Sequence, residues 1–92
     1  MRFFIVHELR GITTPDSGRM RVRASGSLGG GRAEALAGAL ASLEGISNVS
    51  ANALVGSLLI FYDTEESRVT ALTLLLGAAD ANGQFGQADL PA

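Results

Sequence analysis

Gly18-Arg19-Met20-Arg21-Val22-Arg23-Ala24 runs directly into Ser25-Gly26-Ser27-Leu28-Gly29-Gly30-Gly31-Arg32. The first half alternates arginine with Met20, Val22 and Ala24, the period-two pattern of a strand with one apolar and one charged face. The second half is a glycine-rich loop leading into a helix. That position often carries the chemistry of small α/β domains, but here it holds no cysteine, histidine or carboxylate. Whatever this chain does therefore has to be sought on the strand as well as in the loop.

Working outward, Arg2-Phe3-Phe4-Ile5-Val6-His7-Glu8-Leu9 reads as a strand rich in aromatic and β-branched residues. Gly11, Pro15 and Asp16 mark Arg10–Ser17 as a loop. The spacing predicts an antiparallel hairpin between Phe3–Glu8 and Arg19–Ala24. Downstream, Ala33, Leu36, Ala37, Leu40 and Leu43 fall on one face of a helix expected from Arg32 to Leu43. Gly45 is placed to end it in a left-handed conformation. Ile46–Asn52 reads as a strand with Val49 and Ala51 inward, and Ala53–Gly56 as a turn. Ser57–Tyr62 reads as a central strand with both faces at least partly covered. A second helix is expected to start at Asp63 as N-cap, with Glu66 closing a capping box. Val69, Leu72, Leu75 and Leu76 would form its buried stripe and Gly77 its end.

The order is strand, strand, helix, strand, strand, helix. Without its first strand this is a βαββα core, the ferredoxin-like α+β two-layer sandwich minus its final strand. In that sandwich an antiparallel sheet carries both helices on one face. The expectation is that the N-terminal strand takes the place of the missing edge strand. Residues 1–78 form one domain, with 1–17 added to a core of 18–78, and 79–92 are expected to be a weakly structured tail. Its one aromatic side chain is Phe85.

Composition narrows the function classes. A chain of 92 residues supports one domain with a small core. Without cysteine there are no disulfides, thiolate metal sites or thiol nucleophiles. A net charge of −2 and the lack of lysine argue against general nucleic-acid affinity. The positive charge is concentrated, however: Arg2, Arg10, Arg19, Arg21, Arg23 and Arg32 lie in the first third of the chain, and Arg68 alone follows. Such asymmetry points to a local surface for an anion or an acidic partner. No stretch reaches the length of a membrane span, and Phe3–Val6 is too short for a signal peptide's apolar core, so a cytoplasmic protein without membrane insertion is expected.

Several residues then resemble a known family. Ala39-Leu40-Ala41-Ser42-Leu43-Glu44-Gly45-Ile46-Ser47-Asn48-Val49, with Asn52, Gly56 and Tyr62-Asp63 beyond it, resembles the "AL-x-x-L-x-GV-x-x-V … N … tG … v-x-YD" pattern of heavy-metal-associated domains. The resemblance spans about Arg19 to Gly77. Such domains bind soft metals through a Cys-x-x-Cys on the loop after the first core strand. The corresponding positions here are Gly29 and Arg32, so no metal ligand is implied there. His7-Glu8-Leu9 and Gly18-Arg19-Met20-Arg21 match the two halves of "H-x-x-PGR-x-R", found in a cysteine-free subgroup; Arg10–Ser17 is inserted between them. The resemblance implies an accessory role in metal transport or homeostasis, iron included, beside metal-transporting P-type ATPases.

Three candidate sites remain. Arg19, Arg21 and Arg23 share a strand face with Leu59 and Phe61 if Leu58, Ile60 and Tyr62 point inward. That face would bind a protein partner, such as a metal-transporting P-type ATPase, or another copy of the chain. The alternative reading is an amphipathic edge whose arginine stems cover Leu59 and Phe61. Gly29, Gly30, Gly31 and Arg32 could present backbone amides to an anion at a helix start, or could simply form a turn. His7 and Glu8 could contribute to a hard-metal site for iron or another divalent ion, although a lone histidine is more often structural. No arrangement of residues recommends an enzyme, and no cofactor is expected. The leading expectation is a non-catalytic interaction domain; the alternatives are direct iron binding through His7 and carboxylates, and an RNA- or anion-binding module.

Overall fold

The computed structural model describes residues 2–26, 28–29 and 31–79. Its elements are β1 (Phe3–Arg10), β2 (Gly18–Ala24), α1 (Arg32–Ala41), β3 (Ile46–Asn52), β4 (Ser57–Tyr62) and α2 (Glu65–Ala79). The four strands form one antiparallel sheet in the order β1-β2-β4-β3. This is a ferredoxin-like two-layer sandwich in which β1 pairs with β2 at the edge that a final strand would otherwise occupy. Expectations for the tail from residue 80 onward, Phe85 among them, lie outside the described residues. Among the described residues no helix is long and apolar enough to cross a membrane.

The core lies between the sheet and the helices. Phe3, Met20, Val22, Leu58 and Ile60 from the strands are fully buried, with Tyr62 beside them. Leu28 from the glycine loop, Leu40 from α1 and Leu75 from α2 complete the centre. Alternation on β2 and β4 therefore sorts side chains as their sequences predict, apolar toward the helices and arginine away from them.

On the two outer strands a bulge alters the sorting. The β1–β2 register slips between Ile5 and His7, and the β3–β4 register between Ile46 and Asn48. One extra residue reverses the facing of everything beyond it. In β3 the bulge lets Ile46 and Val49, three apart, both face the core. Ala51 is on the helix side by register but stays exposed at the sheet's rim, contrary to the inward position expected for it.

Helix boundaries also depart from expectation. α1 ends at Ala41 rather than Leu43. The Ser42 hydroxyl donates to the Ala39 carbonyl at 2.7 Å, and the Leu43 amide closes a tighter turn on the Leu40 carbonyl at 3.1 Å. Gly45 has φ of 85°, and a Cβ there would sit 2.6 Å from Ser67 Cβ, so both backbone and space require glycine. The cap of α2 is Thr64 with Ser67, not Asp63 with Glu66. Thr64 Oγ1 accepts from the Ser67 amide at 3.0 Å, and Ser67 Oγ accepts from the Thr64 amide at 3.1 Å. Gly77 does not end α2, which continues to Ala79.

The buried stripe of α2 is turned by about one residue from the expected one. Arg68, Ala71, Leu72 and Leu75 are buried, whereas Val69 is 50% and Leu76 39% exposed. The helix presents Arg68 to the sheet because a carboxylate waits there.

Candidate functional site

The open face of the sheet is built by β2. Its register on β4 sets Arg19 opposite Phe61, Arg21 opposite Leu59 and Arg23 opposite Ser57. On the β1 side the neighbours are Leu9, His7 and Phe4, and on the β3 side of β4 they are Asn48, Ser50 and Asn52. The face is thus a grid of three rows: Leu9-Arg19-Phe61-Asn48, His7-Arg21-Leu59-Ser50 and Phe4-Arg23-Ser57-Asn52. The five residues singled out for partner binding, Arg19, Arg21, Arg23, Leu59 and Phe61, are brought together.

Arg21 and Arg23 are exposed, while Arg19, Leu59 and Phe61 are half-buried. The Arg2 guanidinium lies 5.3 Å from the centre of the Phe4 ring, a cation–π contact that adds positive charge at one corner. None of the twelve grid positions is aspartate or glutamate. A shallow depression of about 270 Å³ lies between Arg21, Leu59, Ser57, Ser50 and Asn52. Cations interleaved with half-covered apolar groups suit an acidic, partly apolar protein surface.

The other face of the same sheet holds a charge cluster. Glu8 points toward the helices and accepts from Arg68 twice, Nε to Oε2 at 2.6 Å and a terminal guanidinium nitrogen to Oε1 at 3.0 Å. The Tyr62 hydroxyl donates to Glu8 Oε2 at 2.5 Å. Glu65 joins through Arg68 at 3.5 Å and Arg10 at 2.9 Å. The side chains of Arg68 and Glu8 are only 3% and 15% exposed. Burial pushes the Glu8 carboxyl up, but the hydrogen bonds from Arg68 and Tyr62 and the charges of Arg68 and Arg10 outweigh it. The net result lies below the ordinary glutamate value. Burial and the Glu8 carboxylate together push the Tyr62 hydroxyl up to about 12. The hydrogen bond with Glu8 raises Arg68 further, against its burial.

Tyr62 reaches Glu8 by lying across β2 at Gly18. A Cβ on Gly18 would be 2.5 Å from the Tyr62 hydroxyl oxygen and from the Leu9 carbonyl oxygen. Strand and helix periodicity alone do not bring Glu8, Tyr62 and Arg68 together. The available signal was glycine at the head of the arginine strand with the chain's single tyrosine closing the central one.

Consecutive strand residues face opposite ways, and the bulge at Val6 sets which face each of His7 and Glu8 takes. His7 pairs with Arg21 on the open face, and Glu8 pairs with Met20 on the closed face, where Arg68 occupies it. The two residues thus cannot ligate one ion together, which corrects the expectation of a shared metal site. Among the described residues no three of His, Cys, Asp or Glu are grouped to hold a metal.

In the glycine loop, Leu28 is buried and its amide donates to the Ala53 carbonyl at 3.1 Å. Gly31 is the N-cap of α1, with φ of 82° and no side-chain cap. The amides of Arg32 and Ala33 donate to the carbonyls of Gly29 and Leu28, each at 3.2 Å. Two of the first amides of α1 are therefore spent inside the turn rather than directed at an anion. Of the anion candidates, Gly29, Gly31 and Arg32 line this turn, and Gly30 lies outside the described residues.

No family model, curated protein or solved structure matches this chain.

Proposed function

We propose that this chain is a non-catalytic binding domain whose open sheet face docks an acidic partner protein. The observation supporting this most strongly is the grid itself. Three arginines stand in register beside Leu9, Leu59 and Phe61, with no carboxylate among the paired positions to neutralise them. The same pattern disfavours face-to-face self-association, because it would set arginines against arginines. The resemblance to cysteine-free heavy-metal-associated domains supports a setting in metal transport, iron included, with a metal-transporting P-type ATPase as the partner class.

The test is a titration of isotope-labelled protein with a peptide alternating glutamate and leucine, and then with the cytosolic domains of such an ATPase. Amide shifts confined to Arg19–Arg23 and Leu59–Phe61 are expected. Arg21→Glu with Phe61→Ser should abolish them, and Arg21→Glu alone should weaken binding at least about tenfold, the size of a charge reversal at an interface. Shifts mapping to the helices, or binding unchanged in both variants, would overturn the reading.

A further inference from the structure

The two edges of the sheet are built differently. On β1 the edge carries His7, Glu8 and Arg10 and is broken in mid-strand by the bulge at Val6. Charge and a bulge are the usual guards of an edge against pairing with another chain. On β3 the edge reads Ile-Ser-Asn-Val-Ser-Ala-Asn, with neither charge nor proline. Its bulge lies at the entry, so Asn48–Asn52 runs in regular register with β4, and among the described residues no strand covers its outer side.

The surroundings match. Between Ala35 and Tyr62 the only charged residue is Glu44. α1 packs chiefly over β3, and its exposed residues beyond Glu34 are Ala35, Gly38, Ala39, Ala41 and Ser42. Among the described residues the charges on this side are confined to Arg32 and Glu34 in the first turn of α1 and to Glu44 before the strand, so Asn48–Asn52 itself selects no partner of either sign. The surface that fits it is the same edge of a second copy, neutral against neutral.

We infer that two copies pair β3 against β3 in antiparallel register about a two-fold axis at Ser50, forming one continuous eight-stranded sheet. This register sets Ser50 opposite its counterpart and Asn48 opposite Asn52 on the open side, where side-chain amides and hydroxyls can hydrogen-bond across strands. On the helix side it sets Val49 opposite Ala51, covering the alanine left exposed at the rim. A two-fold axis normal to the sheet keeps both arginine faces on the same side. Five strand spacings separate the two copies of Arg21, about 24 Å. The depression beside Arg21, open at the β3 edge, gains its outer wall from the second copy. The pairing is independent of the acidic-partner reading, since mass is measured without any ligand.

Light scattering and sedimentation of the full chain from about 10 µM to about 1 mM, the weak limit of a specific interface, should show the mass doubling. Ser50→Cys in this cysteine-free chain should oxidise to a linked dimer, because directly opposed strand residues lie within disulfide reach. Glu66→Cys on α2 should not. Ser50→Lys places two ammonium groups at the axis and should weaken dimerisation at least about tenfold. Its circular dichroism, and its melting at a concentration low enough for both proteins to be monomeric, should stay those of the parent, as expected for an exposed site. A parent that is monomeric throughout would overturn the inference. So would Ser50→Cys linking no faster than Glu66→Cys, or a dimer indifferent to Ser50→Lys.

Discussion

Both faces of one sheet carry arginine, and the two faces use it in opposite ways. On the closed face Arg68 is 3% exposed and bound to Glu8 at two points, with Tyr62 donating to the same carboxylate. On the open face Arg21 and Arg23 stand exposed beside Leu59 and Ser57. A buried guanidinium is held there only because its charge is matched, since an unmatched one would cost several kcal/mol in desolvation. An exposed guanidinium keeps its water and contributes little to the folded state, so it is free to contribute to binding. The comparison ties stability to the closed face and leaves the open face free for the binding proposed for it.

The largest effect should come from breaking the buried pair. Arg68→Met strands Glu8 among apolar groups and should destabilise the domain by about 3 kcal/mol in urea unfolding. Adding Glu8→Leu should recover most of that loss, because the cluster's contribution is chiefly the avoidance of an unmatched charge. A double variant no more stable than the single one would show that packing, not charge, is at stake.

Titration should give a smaller effect with two limbs. Glu8 is lowered on folding, so its contribution is complete above the unfolded value of 4.5 and is lost as pH falls through the folded value. Tyr62 is raised from 10.0 to about 12, so its contribution is complete below pH 10 and is lost as pH rises toward 12. Tyr62→Phe should remove the alkaline limb and lower neutral-pH stability by about 1.5–3 kcal/mol, the worth of a hydrogen bond to a charged group. An alkaline limb that persists in Tyr62→Phe would place its origin elsewhere.

The smallest effect sharpens the contrast. Arg21→Glu should change unfolding free energy by no more than about 0.5 kcal/mol, as for other surface substitutions. A loss comparable to that of Arg68→Met would erase the division between the faces.

The alternation on β2 and β4 was plain in the sequence, because regular strands sort side chains by parity alone. From it came the sheet's two faces, the inward Leu58, Ile60 and Tyr62, and the five residues that share the open face. The place of β1 was legible too, from a hairpin-length loop and a missing sixth element. The facing of His7 and Glu8 was not. Strict alternation from Phe3 puts Glu8 on the open side, and only the extra residue at Val6 turns it inward. A bulge leaves no local composition mark, so parity cannot be carried across it. The stripe of α2 was hidden for a related reason. Val69 is the more apolar residue, but Arg68 is the one with a partner, and that partner lies 60 positions away.

The substitution of an N-terminal strand for a C-terminal one also bears on how the chain reaches its fold. The edge beside β2 is completed by a turn over residues 11–17 rather than by a segment returning after α2, about 60 residues later. Loop-closure entropy grows with the logarithm of length, so the shorter route lowers the cost of forming that edge by roughly 2 kcal/mol. The turn is also tied internally: Ser17 Oγ accepts from the amides of Thr13 and Thr14 at 2.8 Å and donates to the Thr14 carbonyl at 2.9 Å. Local pairings of this kind lower contact order and speed folding. The turn over residues 53–56 is shorter still, so by the same reasoning the β1–β2 and β3–β4 hairpins both form early, and the pairing of β2 with β4, far apart in the chain, joins them into one sheet.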